Sequence, residues 1–162
     1  MLLLLFLFGL ALAAGSPSDE NQLSLRCGHC DNFWFNFNGR CYKYVATLMT
    51  WADAELHCLS MGANLVSIHS LEEQNFVKSL IKNFDPAVGW TWIGLNDVHK
   101  EGRWMWSDGS AANYLFWLSG QPDNAGSNEH CVHEYSVTEV KWNDLPCSRT
   151  LAFVCASREM CP

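Results

Sequence analysis

The sequence predicts an α+β domain held together by disulfides, and three observations carry that prediction. Two capped amphipathic segments lie in the first half of the chain, short apolar runs of strand character lie toward both ends, and eight cysteines are spread from Cys27 to Cys161. Each helix must bury its apolar stripe against a sheet face, so early helices between strands favour a domain whose two ends meet in one sheet.

From residue 31 to 44 aromatic and polar residues alternate (Phe33, Phe35, Phe37, then Tyr42 and Tyr44) around Asn38-Gly39. Period-two alternation lines one side of a strand pair, and Asn-Gly accepts the two positive φ angles of a type I′ hairpin turn. Cys30 and Cys41 flank that turn and could staple it. Thr50 followed by Asp53 marks a helix start, with Trp51, Ala54, Cys58 and Met61 recurring on one face and Gly62 as the stop. Ser70-Leu-Glu-Glu supplies a capping box for a second helix with the stripe Phe76, Val77, Leu80 and Ile81. A short strand over 65–68 is predicted between the helices. Helical periodicity stops after Asn83, and strands are predicted over 90–95, 103–106, 131–135, 140–142 and 151–156. Tryptophans 51, 90, 92, 104, 106, 117 and 142 are assigned to the core, because large aromatics dominate interiors. The aperiodic stretch from Asn96 to Asn128 is long for a connection, and such loops in compact domains are usually functional.

Composition and compartment narrow the class. Residues 1–15 are an apolar run followed by Ala13, Ala14 and Gly15, the pattern of a secretory signal peptide cleaved after Ala13 or Gly15; an anchor segment is the competing reading. No later run is long enough to span a bilayer, so no membrane insertion is expected. Residues 16–29 read as a short leader, 30–157 as one domain and 158–162 as a tail. The formal charge of −7 with no basic stripe argues against nucleic acid. Eight cysteines in a secreted chain imply a disulfide framework; the lone Cys27-Gly-His-Cys30 has no second half to close a zinc site.

Between Gly120 and Cys147 the chain concentrates hard oxygen donors: the carboxylates of Asp123, Glu129 and Asp144 and the amides of Gln121 and Asn143. Calcium takes six to eight oxygens, so five side chains and a backbone carbonyl would hold the ion and leave a place for water or for a ligand's hydroxyls. A solvated polar loop is the plainer alternative. His130 and His133 straddle Cys131, but joint ligation is not expected, since residues three apart on a strand point to opposite faces. An enzyme would need a nucleophile with its base or a free acid–base pair. No such motif is visible, and carboxylates committed to an ion leave no pair for glycoside hydrolysis.

Several motifs then fall in one order: Trp92-Ile-Gly-Leu95, Trp104-Met-Trp-Ser-Asp-Gly109, Gln121-Pro-Asp123, Trp142-Asn-Asp144 and Phe153-Val-Cys155. In that order and approximate spacing they resemble the C-type lectin domain, over roughly Cys30 to Ser157, and most of all the small soluble galactose-binding lectins of fish. The resemblance implies two helices with small antiparallel sheets and a long calcium-binding loop region. It implies the disulfides Cys30–Cys41, Cys58–Cys155 and Cys131–Cys147, leaving Cys27 and Cys161 to bond to each other or to link two chains as a homodimer. It also implies a cis proline at Pro122 and one calcium held by Gln121, Asp123, Glu129, Asn143 and Asp144, the same five residues binding carbohydrate. An accessory calcium site of the family falls here on Asn124 and His130, which are not hard anionic ligands, so one calcium at most is expected. The function implied is a secreted lectin for galactose or lactose on glycoproteins or cell surfaces. Two alternatives use the same fold: ice binding and protein binding without sugar. Calcium-dependent antifreeze relatives place threonines beside the site, where this chain has Asn124, Ala125, Gly126, Ser127 and Asn128.

Overall fold

A computed structural model describes residues 30–135 and 141–157. The signal segment 1–15, the leader 16–29 and the tail 158–162, with Cys27 and Cys161, lie outside the described residues. In chain order the elements are β1 (Phe35–Phe37), β2 (Arg40–Met49), α1 (Trp51–Ser60), β3 (Ala63–Leu65), α2 (Leu71–Phe84), β4 (Thr91–Asn96), β5 (Met105–Trp106), a 3-10 turn (Ala125–Ser127), β6 (Cys131–Tyr135), β7 (Lys141–Leu145) and β8 (Leu151–Ser157).

Local chemistry sets the boundaries where it was expected to. Asn38 and Gly39 both take positive φ, 47° and 78°, and β1 pairs antiparallel with β2 across them. Thr50 accepts the Asp53 N–H at the start of α1, and Ser70 accepts the Glu73 N–H at the start of α2. The strand between the helices is Ala63–Leu65, earlier than the sequence suggests. Beyond Leu65 the chain still bonds to the sheet, but to two strands: the Val66 N–H donates to Val154 O on β8, and the Gly94 N–H of β4 donates to Val66 O. A segment shared between two strands leaves the regular ladder.

The strands form two antiparallel groups. One contains β1, β2, β8 and β3; the other contains β5, β4, β6 and β7. A short parallel pairing of β4 with β8 joins them into one sheet. Both ends of the domain therefore meet at β2 and β8, as predicted. Alternate residues of β4 and β8 enter different cores. Ile93, Leu95 and Val154 pack with Val77, Leu80 and Ile81 of α2, whereas Trp92, Phe153 and Cys155 pack with Ala54 and Cys58 of α1. A sheet covered on both faces explains why Leu151 to Ala156 reads as an unbroken apolar run. Among the described residues three disulfides form, Cys30–Cys41, Cys58–Cys155 and Cys131–Cys147, the pairs implied by the resemblance.

The tryptophan assignment needs one correction. Trp92, Trp106 and Trp142 are buried, and Trp51, Trp104 and Trp117 are half-buried, but Trp90 is 38% exposed. It stands at the mouth of β4, before the strand enters the covered part of the sheet, against the rings of His133 and Tyr135.

Candidate functional site

Trp142 organises the loop region. Its ring is wholly buried, and its Nε1–H donates to Gln74 Oε1 on α2 at 2.9 Å. On one side of β7 the ladder to β6 sets His133 opposite Asn143 and Val132 opposite Asp144. On the other side the long loop is laid along the same residue: the Trp142 N–H donates to Phe116 O at 2.8 Å, and the Leu118 N–H donates to Trp142 O at 2.9 Å. The next turn, Gln121 N–H to Leu118 O, brings Gln121, Pro122 and Asp123 beside Asn143 and Asp144. The Gln121–Pro122 bond is cis.

Three of the five predicted ligands converge in a way that can be measured. Carboxylate oxygens of Asp123, Glu129 and Asp144 lie within 4.8 Å of one another. Asp144 is buried; its Oδ1 accepts the Asp123 N–H and its Oδ2 accepts the Asn124 N–H. Glu129 Oε2 accepts the Ala125 N–H. Burial pushes the Glu129 carboxyl above its ordinary range, the Ala125 N–H opposes that shift, and the charges of Asp144 and Asp123 add to it. None of the three forms an ion pair among the described residues.

The two amides complete the arrangement. Gln121 Oε1 is buried and has no hydrogen-bond partner, an expensive state for a carbonyl oxygen unless something electropositive meets it. Asn143 gives its amide hydrogens to His133 Nε2 at 3.1 Å and to Asp144 O at 2.6 Å, which leaves Oδ1 free. An orphaned amide oxygen, a second free one and three crowded carboxylates are all oxygen donors without a counter-charge. This donor set fits a hard divalent cation such as calcium and lacks the nitrogen or sulfur that zinc prefers.

A second cluster adjoins the first. Asp97, Glu101 and His130 also bring ligand atoms within 4.8 Å. His130 Nδ1 lies 2.9 Å from Asp97 Oδ1 and 3.6 Å from Glu101 Oε2. Asn124, in the left-handed region at φ 43°, links the clusters: its Nδ2 donates to Glu101 Oε2, and its Oδ1 accepts the Glu129 N–H.

His133 and His130 have different partners, Asn143 and Glu134 O for the first and Asp97 with Glu101 for the second. His133 is fully buried behind Asn143, and burial holds its imidazole down to about 4. Its neighbour Glu134 is also buried and pushed up to about 7 by desolvation, with the Gln74 and Trp142 donors and the Lys78 charge pulling the other way. Gln74 Nε2–H groups reach both Glu134 oxygens, at 2.8 and 3.0 Å. Nothing in the sequence pattern marks His133 as a partner of Asn143, since only strand pairing brings them together.

Comparison with known proteins gives a consistent picture. The family model described as "Lectin C-type domain" matches residues 47–157. A galactose-specific lectin, nattectin, of Thalassophryne nattereri is 40% identical over 151 residues, 93% of this chain and 92% of that one. A "C-type lectin mannose-binding isoform" of Notechis scutatus scutatus is 41% identical over 129 residues, 78% of this chain and 82% of its own. Among solved structures, herring type II antifreeze protein superposes with a TM-score of 0.73 at 38% identity, covering 79% of this chain and 98% of that one. Among the described residues no helix is long and apolar enough to cross a membrane.

Proposed function

We propose that this chain, which belongs to the C-type lectin domain family, is a calcium-dependent sugar-binding protein with a preference for galactose-type ligands. Members of the family bind carbohydrate and are not enzymes. The observation that carries the reading is the crowding of the Asp123, Glu129 and Asp144 carboxylates, with a buried, unpartnered Gln121 Oε1 on the residue two before Asp123. Gln121, Asp123, Glu129, Asn143 and Asp144 would hold the ion. Calcium would supply open coordination positions for two vicinal sugar hydroxyls.

The order of Gln121 and Asp123 decides the sugar. An amide first and a carboxylate second reverse donor and acceptor relative to the Glu-Pro-Asn arrangement associated with mannose, and favour the axial 4-hydroxyl with the equatorial 3-hydroxyl of galactose. The specificity named for nattectin, 40% identical to this chain, supports the galactose reading. The mannose-binding relative from Notechis makes the point worth testing directly. His133 is buried and cannot stack on a sugar, and Trp104 is half-buried against Trp117 at 4.8 Å. Of the three rings that could stack on a sugar only Tyr135, two residues along β6 from His133, is exposed at 37%, and monosaccharide affinity should be in the millimolar range, about −4 kcal/mol.

The test is elution from a glycan column by galactose, lactose or mannose, with and without EDTA. Galactose or lactose should elute the protein and EDTA should abolish retention. Gln121→Glu combined with Asp123→Asn should move preference toward mannose with calcium still bound. Elution of the native protein by mannose and not by galactose would overturn the galactose assignment. The likeness to herring antifreeze protein supports a second reading, ice binding, which predicts thermal hysteresis and indifference to sugars. The disulfides agree with a secreted protein. A non-reducing gel separates a Cys27–Cys161 bond within one chain from a bond that links two.

A further inference from the structure

A cleft of about 540 Å³ opens where the C-terminal end of α2 meets β2, β8 and the residues just before β4. The rings of Tyr44, Phe84 and Trp90 line it together with Asp85, and it shares no residue with either cluster of the loop region. Tyr44 and Phe84 stack at 5.8 Å with their planes 13° apart, and Phe84 and Trp90 are 51% and 38% exposed. The opposite wall comes from an irregularity in the sheet. A register shift between Val45 and Met49 leaves Ala46, Thr47 and Leu48 exposed, and Ala46 and Leu48 face the cleft.

The cleft also carries a negative charge with no counter-charge. Asp85 caps the C-terminal end of α2, a 14-residue helix whose last carbonyls already make that end negative and favour a cation there. Neither Lys82 in the last turn nor any other cation among the described residues forms an ion pair with it. Its Oδ1 accepts the Ala87 N–H at 3.1 Å and its Oδ2 accepts the Gly89 N–H at 2.8 Å, which fixes the carboxylate in place. The charge is felt across the cleft: burial pushes the Tyr44 hydroxyl above its ordinary range, and Asp85 adds to that shift.

These features select a cation, and they select its kind. Aromatic faces attract positive charge through their quadrupole, and a carboxylate beside them adds to the attraction. A primary ammonium or a guanidinium would bring several N–H donors. It would meet few acceptors, because both Asp85 oxygens already accept backbone N–H groups and the Phe84 and Trp90 rings offer no conventional acceptor atom. A quaternary ammonium ion donates no hydrogen bond, and its methyl groups pack directly on the rings.

We propose that this cleft binds a quaternary ammonium group, enclosed by the Tyr44, Phe84 and Trp90 rings with Asp85 as its counter-charge, and that it does so without calcium. Free choline and the headgroup of a choline lipid share this chemistry.

The test titrates choline into the native protein and follows the Trp90 indole N–H signal in a ¹⁵N spectrum. Choline should shift it saturably, with or without EDTA, and the neutral isostere carrying C(CH₃)₃ in place of N(CH₃)₃⁺ should bind about tenfold more weakly. Asp85→Asn keeps an oxygen for the backbone N–H groups, removes the charge and should weaken choline about fivefold. Tyr44→Phe keeps the ring and should stay within about twofold. No saturable shift, or equal affinity for choline and its neutral isostere, would overturn the proposal, and neither measurement needs a variant to fold. Loss of choline binding in EDTA would overturn the independence from calcium. Vesicles of phosphatidylcholine separate the two sources: co-sedimentation that free choline competes away assigns a lipid headgroup, and choline binding without co-sedimentation assigns a soluble ligand.

Discussion

Two clusters of titratable side chains sit side by side on the loop region, and they handle their charge in different ways. Asp123, Glu129 and Asp144 crowd three carboxylates against each other, with backbone N–H groups of Asp123, Asn124 and Ala125 donating to Asp144 and Glu129 and with Gln121 Oε1 left unpartnered. Asp97, Glu101 and His130 bring a ring nitrogen of their own, and Asn124 donates to Glu101. The first has acceptors in excess and would need an added cation to balance them. The second is closed by donors the chain already carries. Counting acids would rank the clusters nearly alike; counting unmet acceptors separates them, because a buried acceptor without a donor costs far more than a paired one.

The largest expected effect breaks the first cluster. Asp144→Ala removes a buried carboxylate that also holds the Asp123 and Asn124 N–H groups, and calcium affinity by calorimetry should fall about a thousandfold or more, given roughly 4 kcal/mol per close charge pair at an effective dielectric near 20. Glu101→Gln, in the second cluster, should leave it within about twofold. Equal losses in both would erase the distinction.

A second effect comes from the covalent frame. Cys131–Cys147 ties β6 to the chain just after β7, a separation of 16 residues. Replacing both cysteines by Ala should cost about 3 kcal/mol in chemical denaturation on loop-closure grounds. It should also weaken calcium, since Glu129 and Asp144 lie on the two segments so joined.

A comparable effect lies in β6 behind the first cluster and depends on pH. Glu134, raised to about 7 when folded, contributes stability that is complete below the unfolded carboxyl range and is lost as pH rises through about 7. His133, lowered to about 4, contributes stability that is complete above the unfolded imidazole range and is lost as pH falls toward 4. Between pH 4.5 and 6.5 the two slopes oppose each other, so they nearly cancel in the wild type. Glu134→Gln should gain on wild type by about 3 kcal/mol as pH is raised from 4.5 to 7.5, at 1.36 kcal/mol per pH unit. His133→Gln should gain by a similar amount as pH is lowered from 6.5 to 4. Thermal melts across that range check both, and parallel profiles for the three proteins would refute the assignment.

The smallest effect sharpens the comparison from the other side. His130→Asp replaces the cluster's own donor with a third carboxylate, and calorimetry should then count two calcium ions in place of one. The new site should be weak, about 10⁻⁴ to 10⁻³ M, as in extracellular calcium modules.

Much of the frame was legible because it rests on chemistry between near neighbours. Thr50 and Ser70 cap helices through N–H groups three residues on, and Asn38-Gly39 makes its hairpin turn with its own φ angles. The five oxygen donors were legible as a set because they crowd between Gln121 and Asp144. Segments that divide their bonds between distant strands were read less well. Val66 bonds to β8 and is itself bonded by β4, so the predicted strand 65–68 moved to Ala63–Leu65. Trp90 has the same composition cues as Trp92 but lies one residue before β4, outside the covered sheet.

Sequence alone determined the helices, the hairpin, the apolar pattern of the strands and the inventory of possible ligands, since each depends on residue type and spacing along the chain. Only the tertiary structure decided which acceptors go unmet, that His130 closes the second cluster while His133 lies behind Asn143, and which end of the Asn143 amide is free. The physical reason is that a hydrogen bond depends on direction as well as residue type: the pairing of β6 with β7, ten positions apart at His133 and Asn143, sets that direction.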